Sequence, residues 1–385
     1  MRFPAIRPIG LTMAGLIAAG LLATACFGGD STPELIGRGL LGGTDTDKLN
    51  VPLEDIHVDT FVSGSVPLSE IDEVTLLALR DAIPPIDNPP YTTAGESGWL
   101  GSNDLILGYV ADGGQAYAYP TRILDQHEIV NDELGGRAVL ISFCPLCRSG
   151  IVYDRSLDGR LLSFGNTSAL YESDLVMYDR ETLSYWFQVG GEAIVGELTG
   201  ARLVALPSVT TTWDQWRELH PGTLVLSRDL GFARDYSRDI TVGLEALLNG
   251  GSFPFPVTDA ARDARLEPAA LVLGVELGDD RRAYVLEQLG DAAINDTLDS
   301  KRIAVFSRSE GPVAAAFLAE ADGQALTFQY RDGTYVDEET GSEWSLTGEA
   351  LSGVLAGAQL EPLAVRTAFW FSYVSAFPDV DLYKP

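Results

Sequence analysis

The sequence predicts a mainly β fold with a few short helices, built as two similar modules from an internal duplication. Three observations predict it. Strand formers dominate the short apolar runs. The chain's 40 Gly and 20 Pro supply frequent turns between those runs. A set of residues in the first half recurs in the same order in the second.

The first 26 residues read as an export leader. Arg2 and Arg7 give a basic start, residues 11–23 are uncharged and apolar, and Ala23, Thr24 and Ala25 lead into Cys26. Small residues before a cysteine resemble a bacterial lipoprotein processing site, with Cys26 as the lipidated residue. An uncleaved anchor and an ordinary cleaved signal are the alternatives. All three export the remainder, and in the lipoprotein and anchor readings it sits on the outer face of the cell membrane, touching the bilayer only through an N-terminal lipid or helix.

Residues 27–94 are expected to form a tether with one short element around 53–62 and one short helix. Gly, Thr, Asp and Pro are frequent there. Ile71, Val74, Leu77 and Ala78 repeat at helical spacing until Pro84 and Pro85 stop the pattern. From residue 104 onward the pattern is strand and turn. Residues 104–110 and 116–119 flank Asp112-Gly113-Gly114, residues 129–130 and 137–143 flank a second turn, and residues 151–154 and 161–164 flank Asp158-Gly159. Residues 212–219, with Trp213 and Trp216, read as a short amphipathic helix.

The duplication gives a first module over 95–245 and a second over 262–385. Leu107-Gly108 recurs as Leu273-Gly274, and Asn131-Asp132 as Asn295-Asp296. Asp158-Gly159 recurs as Asp322-Gly323, and Trp186 with Gly191-Glu192-Ala193 as Trp344 with Gly348-Glu349-Ala350. Positions shared by both copies are scaffold. The first copy alone carries His127, Cys144 and Cys147, so the second module is expected to be degenerate.

The formal net charge is −29, and −31 once Arg2 and Arg7 are set aside. Such a surface repels polyanions and excludes nucleic-acid binding. Beyond Cys26, the chain has only Cys144 and Cys147. A disulfide closing so short a loop removes little chain entropy, so local chemistry explains the pair better than a structural staple. Thiolate and imidazole suit copper and zinc, and the expected hairpin register places His127 beside Cys144. The expected metal ligands are therefore His127, Cys144 and Cys147. A dithiol redox pair is the second expectation and a non-catalytic binding module the third. A thioredoxin arrangement is disfavoured because Arg148-Ser149-Gly150 leads into a strand pattern rather than a helix. Acidic neighbours Glu128, Asp132 and Asp154 are candidates for an open metal position. Arg148, Asp174, Tyr178, Asp179 and Arg180 are candidates for a pocket around it. Partners of such a site would be a metal donor or acceptor, or a redox protein.

Ile83-Pro84-Pro85-Ile86-Asp87-Asn88-Pro89, Ala118-Tyr119-Pro120, His127-Glu128-Ile129-Val130-Asn131-Asp132, Phe143-Cys144-Pro145-Leu146-Cys147 and Val152-Tyr153-Asp154-Arg155 occur in that order. Together with residues 173–180, they resemble a family of exported bacterial and archaeal proteins catalogued only as a domain of unknown function. The resemblance covers about residues 80–385. It implies that His127, Cys144 and Cys147 belong to a family motif. The chain departs from the pattern at Gln126, where an aromatic residue is expected before the histidine.

Overall fold

The computed structural model describes residues 40–384, apart from 63, 238, 239 and 312. Among the described residues, strand accounts for 42% and helix for 14%, so the mainly β expectation holds. The α-helices of the described residues are short, the longest having seven residues. None is long and apolar enough to cross a membrane.

A nine-stranded sheet organises the molecule. Its order is Asp381–Leu382, Asp280–Val285, Leu271–Leu277, Val365–Phe369, Ser149–Asp154, Arg137–Cys144, Ile129–Leu134 and Ile86–Asp87, with Ala205–Leu206 also paired to Ser149–Asp154. Side chains alternate across it with period two. Leu140, Ile151 and Tyr153 enter one core, whereas Val139, Ile141 and Val152 enter another on the opposite face. The first of these cores is closed by a six-stranded sheet that includes Phe164–Tyr171, Asp174–Asp179 and Tyr185–Phe187. The second is closed by a five-stranded sheet that includes Leu105–Val110 and Ala116–Pro120.

The same series of elements occurs twice. Leu105–Val110, Ala116–Pro120, the helix Thr121–His127, Ile129–Leu134, Arg137–Cys144 and Ser149–Asp154 are one passage. Leu271–Leu277, Asp280–Val285, the helix Leu286–Leu289, Ala292–Leu298, Lys301–Arg308 and Val313–Leu318 are the other. Inside the nine-stranded sheet Val365–Phe369 stands between them, pairing with Leu271–Leu277 along its length and with Ser149–Asp154 where Gly150 faces Thr367.

Residues 41–94 are not a tether. Val51, Ile56, Val58, Leu68, Ile71 and Leu76 are buried in the largest core. Ile56–Asp59 pairs with residues 169–171 and so adds a strand to the six-stranded sheet. The short element expected around 53–62 is the strand Ile56-His57-Val58-Asp59, whose buried and half-buried positions follow the pleat and which the Gly-, Asp- and Pro-rich composition gave no reason to expect in a core. The helix expected in this stretch is present as Glu73–Leu79, capped by Asp72, whose carboxylate accepts from the Thr75 amide at 3.0 Å.

Candidate metal centre

Arg137–Cys144 and Ser149–Asp154 pair in antiparallel register, with Cys144 opposite Ser149. Pro145 has no amide hydrogen to extend the ladder, and the chain reverses over residues 145–148. The Cys147 amide donates to the Cys144 carbonyl at 3.2 Å, and Arg148 takes a left-handed φ of 48° to re-enter the next strand. This turn brings the two sulfurs to the same side, 2.9 Å apart as free thiols. The Cys147 thiol also points at the Ser173 carbonyl, 3.4 Å away.

The third member is Asp174, at the start of the strand Asp174–Asp179. One ligand atom from each of Cys144, Cys147 and Asp174 lies within 4.8 Å of the others, and no other such group occurs among the described residues. All three side chains are at most 1% exposed. Asp174 Oδ2 accepts from the Ser372 hydroxyl, but Oδ1 is buried with no hydrogen-bond partner. Burial pushes the Asp174 carboxyl up to about 7 and raises both thiols above their ordinary value.

The second half of the chain completes this centre. Ser372 lies on the helix Trp370–Ala376, and the Phe369 amide donates to the Cys147 carbonyl at 2.8 Å. The hairpin turn before Asp174 is also anchored. Ser173 exchanges hydrogen bonds with the Phe255 backbone at 2.8 and 2.9 Å, and Glu172 accepts from the Thr258 amide at 2.9 Å. Glu172 and Ser173 both sit at positive φ, a conformation that these anchors hold in place.

A cavity of about 180 Å³ opens beside the centre, with Cys144, Glu128 and Asn166 among its lining residues. Asn166 donates to Glu128 at 2.5 Å. Burial pushes the Glu128 carboxyl up to about 8 despite that bond.

His127 does not join the sulfurs. The expected hairpin register carried the strand back through residue 127, but the ladder ends at Ile129 opposite Ser142. His127 is instead the last residue of a helix, and Glu128 turns the chain through a left-handed φ of 60°. Both ring nitrogens are engaged. Nδ1–H donates to the Pro84 carbonyl at 2.7 Å, and Nε2 accepts from the Tyr236 hydroxyl at 2.8 Å. Burial lowers its pKa, so the ring is neutral and acts as a pin between loops. The helix end places Glu128, rather than its neighbour, at the cavity.

The other pocket candidates are dispersed. Asp132 accepts from the Tyr91 hydroxyl in a buried cluster with Tyr119. Arg148 pairs with Glu245 at 2.6 Å, and Asp154 with Arg137 at 3.2 Å. The Tyr178 hydroxyl donates to Asp81 at 2.8 Å, and Arg180 pairs with Asp87 at 2.9 Å. Asp179 is a buried anchor, accepting from the Trp186 indole at 2.9 Å. Trp186 is therefore core. Cys26, the candidate lipidation residue, lies outside the described residues.

A family model matches residues 80–380, spanning the Cys-Pro-Leu-Cys turn, Asp174 and the Ser372 helix. The chain belongs to the protein family of unknown function DUF3179. No curated protein and no solved structure matches this DUF3179 chain. Asn166, Ser173 and Ser372 of the DUF3179 site carry no sequence signal of their own. Ser372 is 198 residues from the carboxylate it serves and is found only by folding.

Proposed function

We propose that this protein binds one thiophilic metal ion, copper or zinc, through Cys144, Cys147 and Asp174. In this reading it works outside the cell, anchored to the membrane by its N-terminus. The observation that carries the metal reading is Asp174 Oδ1, fully buried, without a partner, and beside two buried thiols. A lone buried carboxylate is costly, and a cation among three potential anions offsets that cost. Loading would release thiol protons, so affinity would rise with pH. The sulfurs would part from 2.9 Å to roughly 3.7 Å, the separation that two thiolates take on one tetrahedral zinc. Such a move lies within side-chain rotation. The cavity at Cys144 leaves a fourth position open to an incoming ligand, which suits metal transfer or a metal-bound water acting as catalyst. The twice-occurring element series supports a duplicated scaffold whose second copy has lost or never gained the site.

A dithiol redox role is the second reading, favoured by the contact between the sulfurs. Against it, burial raises both thiols, and the following element is a strand with no helix N-terminus to stabilise a thiolate. The export reading rests on Arg2, Arg7, the apolar run and Cys26.

The test is equilibrium dialysis of the reduced chain against copper or zinc, followed by elemental analysis. One ion per chain is expected, and none in Cys144→Ser or Cys147→Ser. A wild type that takes up neither metal would remove the metal reading, and the reduction potential of the dithiol would then decide the second. Fatty-acid labelling in cells that is lost in Cys26→Ser tests the anchor.

A further inference from the structure

We infer that the cavity beside Cys144 admits a small, uncharged, largely apolar ligand of about six to eight heavy atoms, which meets Glu128 with its one polar end. The inference deepens the metal-centre reading by naming what reaches the open position, but its test needs no metal. Size sets the first limit. The cavity holds about 180 Å³, close to the roughly 150 Å³ that accommodates benzene in an apolar protein interior.

Chemistry sets the second limit. Phe61, Ile83, Leu146, Leu170 and Phe255 make most of the wall apolar, and among the described residues the only ionisable carboxyls that line it are Asp59 and Glu128. Among the described residues an anion meets the Asp59 carboxylate and the protonated Glu128 carboxyl, and no cation. Any ion gives up its hydration in an apolar space of this size. The mouth carries the same character. Phe61 and Ile240, at 52% and 54% exposure, are large apolar side chains left in water beside the opening. That apolar rim favours an apolar visitor.

The polar end is assigned to Glu128, because Asp59 accepts from the Phe61 amide at 2.8 Å and the other polar side chains of the wall are paired. Asn166 donates to Glu128 and accepts from the Ser168 amide at 2.6 Å, and the Ser168 hydroxyl donates to the Leu79 carbonyl at 2.7 Å. Glu128 uses one carboxyl oxygen on Asn166, which leaves the other for a ligand. Cys144 lies at the same wall, so a ligand held there sits against its sulfur.

The test follows labelling of Cys144 in the metal-free full-length chain by peptide mass spectrometry. Methyl methanethiolsulfonate is neutral, and its sulfonatoethyl and trimethylammonioethyl analogues are charged. In each, the Cys144 thiolate attacks the sulfenyl sulfur, an S–S bond forms, and methanesulfinate leaves. Rates are divided by those of the same chain in urea. The neutral reagent is expected to be at least ten-fold faster on this scale than either charged one. Benzyl alcohol, but not benzoate or benzylammonium, should slow it saturably. Leu170→Trp, which fills the cavity, should slow it ten-fold while metal uptake is unchanged. Equal normalised rates for all three reagents, or protection by benzoate equal to that by benzyl alcohol, would overturn the inference. If Leu170→Trp fails to fold, the benzyl alcohol and benzoate comparison decides alone. Absence of metal uptake with the labelling pattern intact would remove the metal reading and leave this one standing.

Discussion

The two halves of this chain share several scaffold bonds atom for atom, yet they part at one turn. Asn131 brackets the Phe164 backbone with two 2.8 Å hydrogen bonds, and Asn295 does the same to Phe328. Trp186 donates to Asp179 at 2.9 Å, and Trp344 to Asp337 at 2.9 Å. Gly196 and Gly353 each sit where an added Cβ would strike a serine, Ser184 or Ser342. At the turn, however, Cys144 opposite Ser149 becomes Arg308 opposite Val313. The Arg308 guanidinium lies over Tyr330 and Tyr335 and donates to the Gly333 carbonyl. One half therefore leaves a buried carboxylate oxygen unpaired beside two thiols, while the other carries at the matching ladder position a guanidinium packed on two tyrosine rings, its Nε buried without a partner. Recurrence marks what holds the sheets together, and departure from it marks where chemistry is placed.

That contrast can be sharpened at both kinds of position. The largest effect is expected at the site. Asp174→Asn keeps the shape but removes the anionic ligand, and should weaken metal binding at least as much as the roughly 10–100-fold lost with an outer-shell partner. Competition against a chromophoric chelator measures it. His127→Ala should leave metal stoichiometry unchanged. It strips partners from the Pro84 carbonyl and the Tyr236 hydroxyl and opens a hole, at a cost of about 2–4 kcal/mol in urea unfolding. Loss of the ion in that variant would return the histidine to the centre.

Smaller effects are expected in the scaffold. Trp186→Phe and Trp344→Phe each remove one indole donor from a buried aspartate. Matching losses of about 1–3 kcal/mol should appear in denaturant unfolding of the two variants, and a large asymmetry would break the equivalence of the halves. The smallest effect is a pH slope. The folded chain holds the Glu128 proton up to about 8, far above the ordinary glutamate value of 4.5. Its contribution to stability is full below the unfolded pKa and is lost as pH rises through the folded one. Glu128→Gln stays neutral, so relative to wild type it should gain on the order of 2 kcal/mol between pH 6 and pH 9. Parallel stability curves across that range would refute the burial of this carboxyl.

Much of the scaffold was legible from residue order. Alternating apolar positions predicted the strands, and the recurring Trp, Gly and Asn-Asp positions now coincide with the shared hydrogen bonds. Residues 41–94 were misread because short strands among Gly, Asp and Pro lack a long periodic run, and burial at Ile56 and Val58 comes from a partner strand about 110 residues away. The cysteine pair was legible because two residues of spacing fit a tight turn. Asp174 was read only as a pocket candidate and not as a ligand, because a left-handed Glu128 and a distant Ser372 decide which side chains face the sulfurs. Local pattern reads ladders well, but it does not show where a ladder stops.

The most direct test of the account is X-ray absorption at the zinc edge of the zinc-loaded chain, with His127→Ala beside it. The account predicts two sulfur scatterers near about 2.3 Å, completed by oxygen donors, with no imidazole signature and the same spectrum in the variant. A first shell containing imidazole that disappears in His127→Ala, or one without sulfur, would contradict the Cys144, Cys147 and Asp174 centre.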